Sequence, residues 1–141
     1  MSPDTLLHIQ RSFAAPRDLV FRVWTEPEAL EGWFRPKGMR TKVRALDLRI
    51  GGLYSFEVIA PDGASGSISG RYIEIVRPEK LVFTWVSHET DELETLVTLK
   101  FAERAGVTEI ALTHERFAGE GMTYQHRLGW NWMMDQLGTY L

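Results

Sequence analysis

The chain closes on "RLGWNWMMDQLGTYL", residues 127–141. At 100° per residue, Met122, His126, Trp130, Met133, Met134, Leu137, Tyr140 and Leu141 fall on one face of a helix. Arg127, Asn131, Asp135, Gln136 and Thr139 lie mostly elsewhere. The spacing predicts an amphipathic helix from near Gly121 to the end. Its apolar stripe must be buried, so the fold turns on what this helix covers.

Working back from the helix, the chain reads as strands. "TKVRALDLRI", "GGLYSFEVIA", "SISGRYIEIV", "LVFTWVS", "ETLVTLKFA" and "TEIALTHERF" are separated by the turn-rich "PDGASG", "RPEK", "HETDE" and "ERAGV". Proline is placed at the second position of the "RPEK" turn. A further strand, "TLLHIQRSF", opens the chain. Between it and the six others, "APRDLVFRVWTEPEALEGWF" reads as two short helices. Pro16 suits the start of the first, and Pro27 stops it near Trp24. Thr25 and Glu28 have capping-box spacing for the second, with Gly32 as its stop. Short connections favour antiparallel pairing. The expectation is an α+β fold: a curved seven-stranded antiparallel sheet around the terminal helix, the glycines of "GGLYSF" and "SISGRY" easing the bend.

The 141 residues fit a single domain, 1–141, large enough for a real core. The net charge is −3, with acids and bases interleaved, so no basic tract invites nucleic acid. The absence of cysteine excludes disulfides, thiolate metal sites and cysteine nucleophiles. No apolar run approaches the ~20 residues of a membrane span, and no secretory leader is read at the start. A cytoplasmic location without membrane contact is expected.

Alternation assigns the inner face. With Glu109 and Glu115 outward, Ile110, Leu112 and His114 point in; with Lys100 outward, Val97, Leu99 and Phe101 point in. The same logic turns Tyr54, Phe56 and Val58 inward, then Gly70 and Tyr72 with Glu74 at the rim, and then Leu81, Phe83 and Trp85. From these residues alone a filled aromatic core is the commoner outcome. The polar tips of Tyr54, Tyr72, Trp85, His114 and His126 are what a binding cavity would add.

Four stretches together resemble a known family: "FAAPRDLVFRVWTEPEALEGWF", "GGLYSFE", "GRYIEIVRPEKLVFTW" and "GWNWMMDQLGTYL". In this order they are similar to the START-like (SRPBCC) helix-grip superfamily, in the branch of the C-terminal domain of the activator of the heat-shock chaperone ATPase. The resemblance implies a cavity between sheet and helix that holds a small, largely hydrophobic ligand, aromatic or lipid-like. Its walls would comprise Trp33, Phe34, Tyr54, Phe56, Gly70, Tyr72, Phe83, Trp85, Val97, Leu99, Leu112, His114, His126, Trp130, Met133, Met134 and Leu137. The superfamily also contains polyketide aromatase/cyclases, so an enzyme is the alternative reading. A chaperone-related interaction module is the third, and nothing here corresponds to the activator's N-terminal domain.

The chemistry in the sequence is sparse. His114 and Tyr72 are the candidates for moving a proton, and no nucleophile motif is present. The histidines show no metal-ligand spacing, and neither a metal nor a cofactor is expected. On "EGWFRPKGM", Trp33 and Phe34 suggest a lid over a cavity mouth, and Arg35, Lys37 and Arg40 a site for an acidic group. Leu128, Trp132 and Tyr124 lie behind the helix, where a second copy of the chain would make a homodimer.

Overall fold

The computed structural model describes residues 5–141. Its elements follow in the order β1 (Leu6–Phe13), α1 (Arg17–Val23), α2 (Pro27–Trp33), β2 (Arg40–Leu46), β3 (Leu53–Ile59), β4 (Ser65–Val76), β5 (Lys80–Ser87), β6 (Thr95–Arg104), β7 (Val107–Glu115) and α3 (Glu120–Tyr140). The strands form one antiparallel sheet in the order β1-β7-β6-β5-β4-β3-β2. Five of the six pairings join neighbours in sequence. The exception, β1 with β7, follows from the helical insert, which carries the chain from one sheet edge to the other. This is the helix-grip α+β arrangement.

Alternation decides which side chains reach α3. Ile110, Leu112 and His114 of β7 are buried, as are Val97, Leu99 and Phe101 of β6 and Tyr54, Phe56 and Val58 of β3. Trp130, Met133, Met134 and Leu137 meet them from α3. The β6–β7 hairpin closes through Ala105 and Gly106, both at positive φ (53° and 79°), the mirror-image turn that matches strand twist.

Several local expectations are corrected. Thr25 does not cap α2. Its hydroxyl donates to the carbonyls of Phe21 and Arg22 at 3.1 and 3.2 Å and so satisfies the end of α1, while Glu26 holds the N-cap position of α2. Gly32 does not stop α2, which continues to Trp33. A methyl on Gly32 would lie 2.6 Å from the Tyr140 ring, so glycine is there to let α2 pass α3. The strand read through Ile50 ends at Leu46, because Asp47 to Gly52 fold into turns and Ile50 stays exposed. In the β4–β5 turn the Glu79 N–H meets the Val76 carbonyl at 2.6 Å. Pro78 therefore occupies the third turn position, after a cis peptide bond. The buried stripe of α3 ends at Leu137, since the Tyr140 side chain is largely exposed.

Candidate functional site

The inner face is filled at its centre. Phe34, just past the end of α2, is almost fully buried, with its ring 5.2 Å from Phe56 and 6.0 Å from both Trp85 and Trp130. Trp33 is wholly buried, donates its indole N–H to the Val23 carbonyl at 2.8 Å, and meets Trp24 edge to face at 4.6 Å. The lid expected from Trp33 and Phe34 is thus a plug, with both rings buried among the core aromatics. The space left among Trp24, Leu30, Phe34, Tyr54, Phe56, Tyr72, Leu81, Phe83 and Trp85 is about 20 Å³, room for one water-sized atom. The central hollow of metabolite size is therefore corrected to a nearly filled aromatic core.

Gly70 is corrected too. A methyl there would lie 1.9 Å from the Thr84 carbonyl oxygen and 2.8 Å from the Tyr54 ring. Tyr54, its cross-strand partner, lies over it and donates its hydroxyl to that carbonyl at 2.6 Å. The Arg71 N–H turns to the Thr84 hydroxyl at 2.9 Å. Gly70 thus permits a close approach and opens onto no free volume, so a tryptophan there would disrupt the sheet.

His114 is a structural histidine. The Trp130 indole N–H donates to its Nδ1 at 3.0 Å. That bond fixes the proton on Nε2, which donates to the Thr95 hydroxyl at 2.8 Å, and Thr95 donates on to the Trp85 carbonyl at 2.7 Å. Burial, then the nearby His126, holds His114 well below the usual histidine range. Both nitrogens are committed, so it has no capacity to pass a proton. Burial likewise pushes the Tyr72 hydroxyl well up and keeps it neutral. Neither proton-handling candidate is placed for that work.

The open space lies toward the N-terminal half of α3. A groove of about 120 Å³ is lined by Pro36, Ile68, Trp85, Ser87, Glu89, Gln125, His126, Gly129, Trp130 and Met133. It adjoins a second hollow of about 270 Å³ that shares Pro36, Ile68, Ser87 and Glu89 and continues to Met39, Val58 and Ala60. One wall is apolar, from Ile68 and Trp85 on the sheet and from Trp130 and Met133 on α3. The mouth is polar. His126 donates from Nδ1 to the Met122 carbonyl at 2.9 Å, and its ring packs on Phe117 at 4.7 Å. Its Nε2 has no partner among the described residues. Burial lowers its pKa, with the Met122 carbonyl and Glu89 opposing.

Of the residues read from the sequence, Trp85, His126, Trp130 and Met133 line this groove. Phe34, Tyr54, Phe56, Tyr72 and Phe83, with Trp85, surround the small inner space. Val97, Leu99, Leu112, His114, Met134 and Leu137 are core side chains that touch neither. The reading missed Pro36, Ser87, Glu89, Gln125 and Gly129 because polar residues, a loop proline and a helix glycine carry no apolar periodic signal. Ile68 was within reach, two residues before Gly70 on the same face. Trp132 donates to the backbone carbonyl of Arg35 at 3.0 Å and stacks under the Lys37 ammonium at 5.5 Å, while Arg35 itself is exposed. Tyr124 and Leu128 are exposed. Among the described residues no cluster of three or more metal-ligating side chains occurs, and no helix is long and apolar enough to cross a membrane.

A curved sheet clasping a terminal helix, with a groove beside that helix, defines a helix-grip domain. Residues 14–141 match the family model described as "Activator of Hsp90 ATPase homolog 1-like protein", and the chain belongs to that family. No curated protein matches. Protein CV1439 from Chromobacterium violaceum has a similar structure, 26% identical, covering 96% of this chain and 95% of that one with a TM-score of 0.88. The AHSA1 (SPO3351) protein from Silicibacter pomeroyi shares the fold at 22% identity, 95% of each chain and a TM-score of 0.83. CalU16 from Micromonospora echinospora is 25% identical over 96% of this chain and 74% of its own, with a TM-score of 0.73.

Proposed function

We propose that the protein binds a small, largely hydrophobic molecule, aromatic or lipid-like, in the groove between the sheet and the N-terminal half of α3. One observation carries this reading. An apolar wall of Ile68, Trp85, Trp130 and Met133 faces open volume whose mouth is ringed by Ser87, Glu89, Gln125 and His126. Apolar walls with a few convergent polar groups are the common form of a small-molecule site. Met133 supplies an adaptable surface, and the adjoining hollow gives a longer molecule room to extend. Enzymatic turnover is less favoured, because His114 and Tyr72 are both buried and held neutral.

Gly129 offers the cleanest test. It lines the groove, and a Cβ there meets nothing within 4 Å. Gly129→Phe should fill the groove while the fold stands. The neutral fluorophore N-phenyl-1-naphthylamine should brighten with the native chain and stay dark with the variant. Equal brightening with both would place the binding elsewhere, and darkness with both would remove the reading.

A further inference from the structure

Two buried donors stand without acceptors. The indole nitrogens of Trp24 and Trp85 are inaccessible, and neither finds a hydrogen-bond partner among the described residues. The other buried tryptophan donors are all satisfied: Trp33 by the Val23 carbonyl and Trp130 by His114. Buried polar groups are so regularly paired that two orphans in one small region call for an explanation. Both side chains line the same inner space of about 20 Å³, and Trp85 is also a wall of the groove.

We infer that the molecule held in the groove carries a neutral hydrogen-bond acceptor, a carbonyl or ether oxygen, which it presents to the indole N–H groups of Trp85 and Trp24. The inference rests on the groove reading above. An indole N–H only donates, so the partner must accept. None of the nine side chains around the inner space carries a formal charge. Burial raises the pKa of both Tyr54 and Tyr72, so the surroundings reject negative charge. Burial lowers His114 nearby, so they reject positive charge as well. A ketone, ester, quinone or aryl ether fits; a carboxylate or an amine does not.

The size of the space fixes the geometry. It accepts one oxygen-sized atom and no ring. The body of the ligand therefore stays in the groove against Trp85, the wall that the two spaces share, and only its acceptor atom reaches the inner space.

The test uses three probes of one size: acetophenone, ethylbenzene and benzoate. The chain has five tryptophans, so proton–nitrogen NMR gives a small set of indole signals, assigned through Trp24→Phe and Trp85→Phe. Acetophenone should move the Trp85 and Trp24 indole protons downfield and bind about tenfold more tightly than ethylbenzene, the worth of one good hydrogen bond. Benzoate should bind worst. Trp85→Phe should erase the preference for the ketone; if that variant does not fold, the comparison of probes on the native chain decides alone. Equal affinity for acetophenone and ethylbenzene, binding that leaves both indole signals unmoved, or no acetophenone binding would each overturn the inference. If N-phenyl-1-naphthylamine still binds in those cases, the groove reading survives without it.

Discussion

The two halves of α3 meet the protein differently, and its glycines show how. In the C-terminal half, a Cβ on Gly138 would touch the Phe13 ring at 3.7 Å, and Tyr140 packs over Gly32 of α2. Arg11 of β1 forms an ion pair with Asp135 beside them. In the N-terminal half, a Cβ on Gly121 or Gly129 would meet nothing within 4 Å. One half is a closed joint between helix, sheet edge and helical insert. The other stands off from β4 and β5 and leaves a groove. A domain of this size gains most of its stability from dense packing, so an unpacked helix face between aromatic walls is the feature on which the proposed binding rests.

Trp130 marks the boundary between the halves, and its removal should have the largest effect. Trp130→Ala should cost about 3–5 kcal/mol in urea denaturation, with the bared His114 nitrogen adding to the cavity. A loss below about 1 kcal/mol would mean the helix does not grip the sheet there. Next is Leu137→Ala, fully buried in the C-terminal half, which should destabilise by about 2–5 kcal/mol, while Gly129→Phe leaves the melting point near its native value. Equal losses at the two positions would erase the distinction between the halves.

Acid should weaken the core around His114. Its folded pKa is lowered by burial, and that of His126 is lowered in the same sense. The unfolded chain then takes up protons that the folded chain refuses. Stability is full above about pH 6.5 and falls as the pH drops below it, by up to about 1.4 kcal/mol per pH unit for each histidine. Denaturation midpoints that do not move between pH 7 and pH 5.5 would contradict the neutral Trp130–His114–Thr95 chain. The smallest effect is a gain. Gly129→Ala should stabilise by up to about 1 kcal/mol, because it improves helix propensity where nothing crowds the new methyl. A loss would mean that the groove is packed shut.

The architecture was legible because periodicity reports burial. The alternation of "TEIALTHE" and "TLVTLKF" and the helical spacing of Trp130, Met134 and Leu137 carried the sheet, its inner face and the gripping helix. The ligand-sized space was less legible, because periodicity says which way a residue points and not how much volume remains when all of them have arrived. Phe34 shows the difficulty. A large ring on a loop reads equally as a lid or a plug, and only the end of α2 decides. Gly70 was misplaced for a related reason: a glycine on an inner face looks like room, but Tyr54 and the Thr84 carbonyl occupy it. The groove itself is built from Ser87, Glu89 and Gln125, whose polar character marks them only as solvated until the fold brings them together.

Met133 and Met134 are adjacent in the chain and fall on opposite sides of this distinction. Met133 lines the groove, whereas Met134 is sealed in the core. Carbon-labelled methionine methyls, followed by NMR during titration with N-phenyl-1-naphthylamine, test the account directly. The Met133 methyl should shift strongly under the ring current of the bound probe while Met134 holds its position. A shift of Met134 as large as that of Met133 would mean that the ligand enters the core, and the contrast between the two halves of α3 would fail.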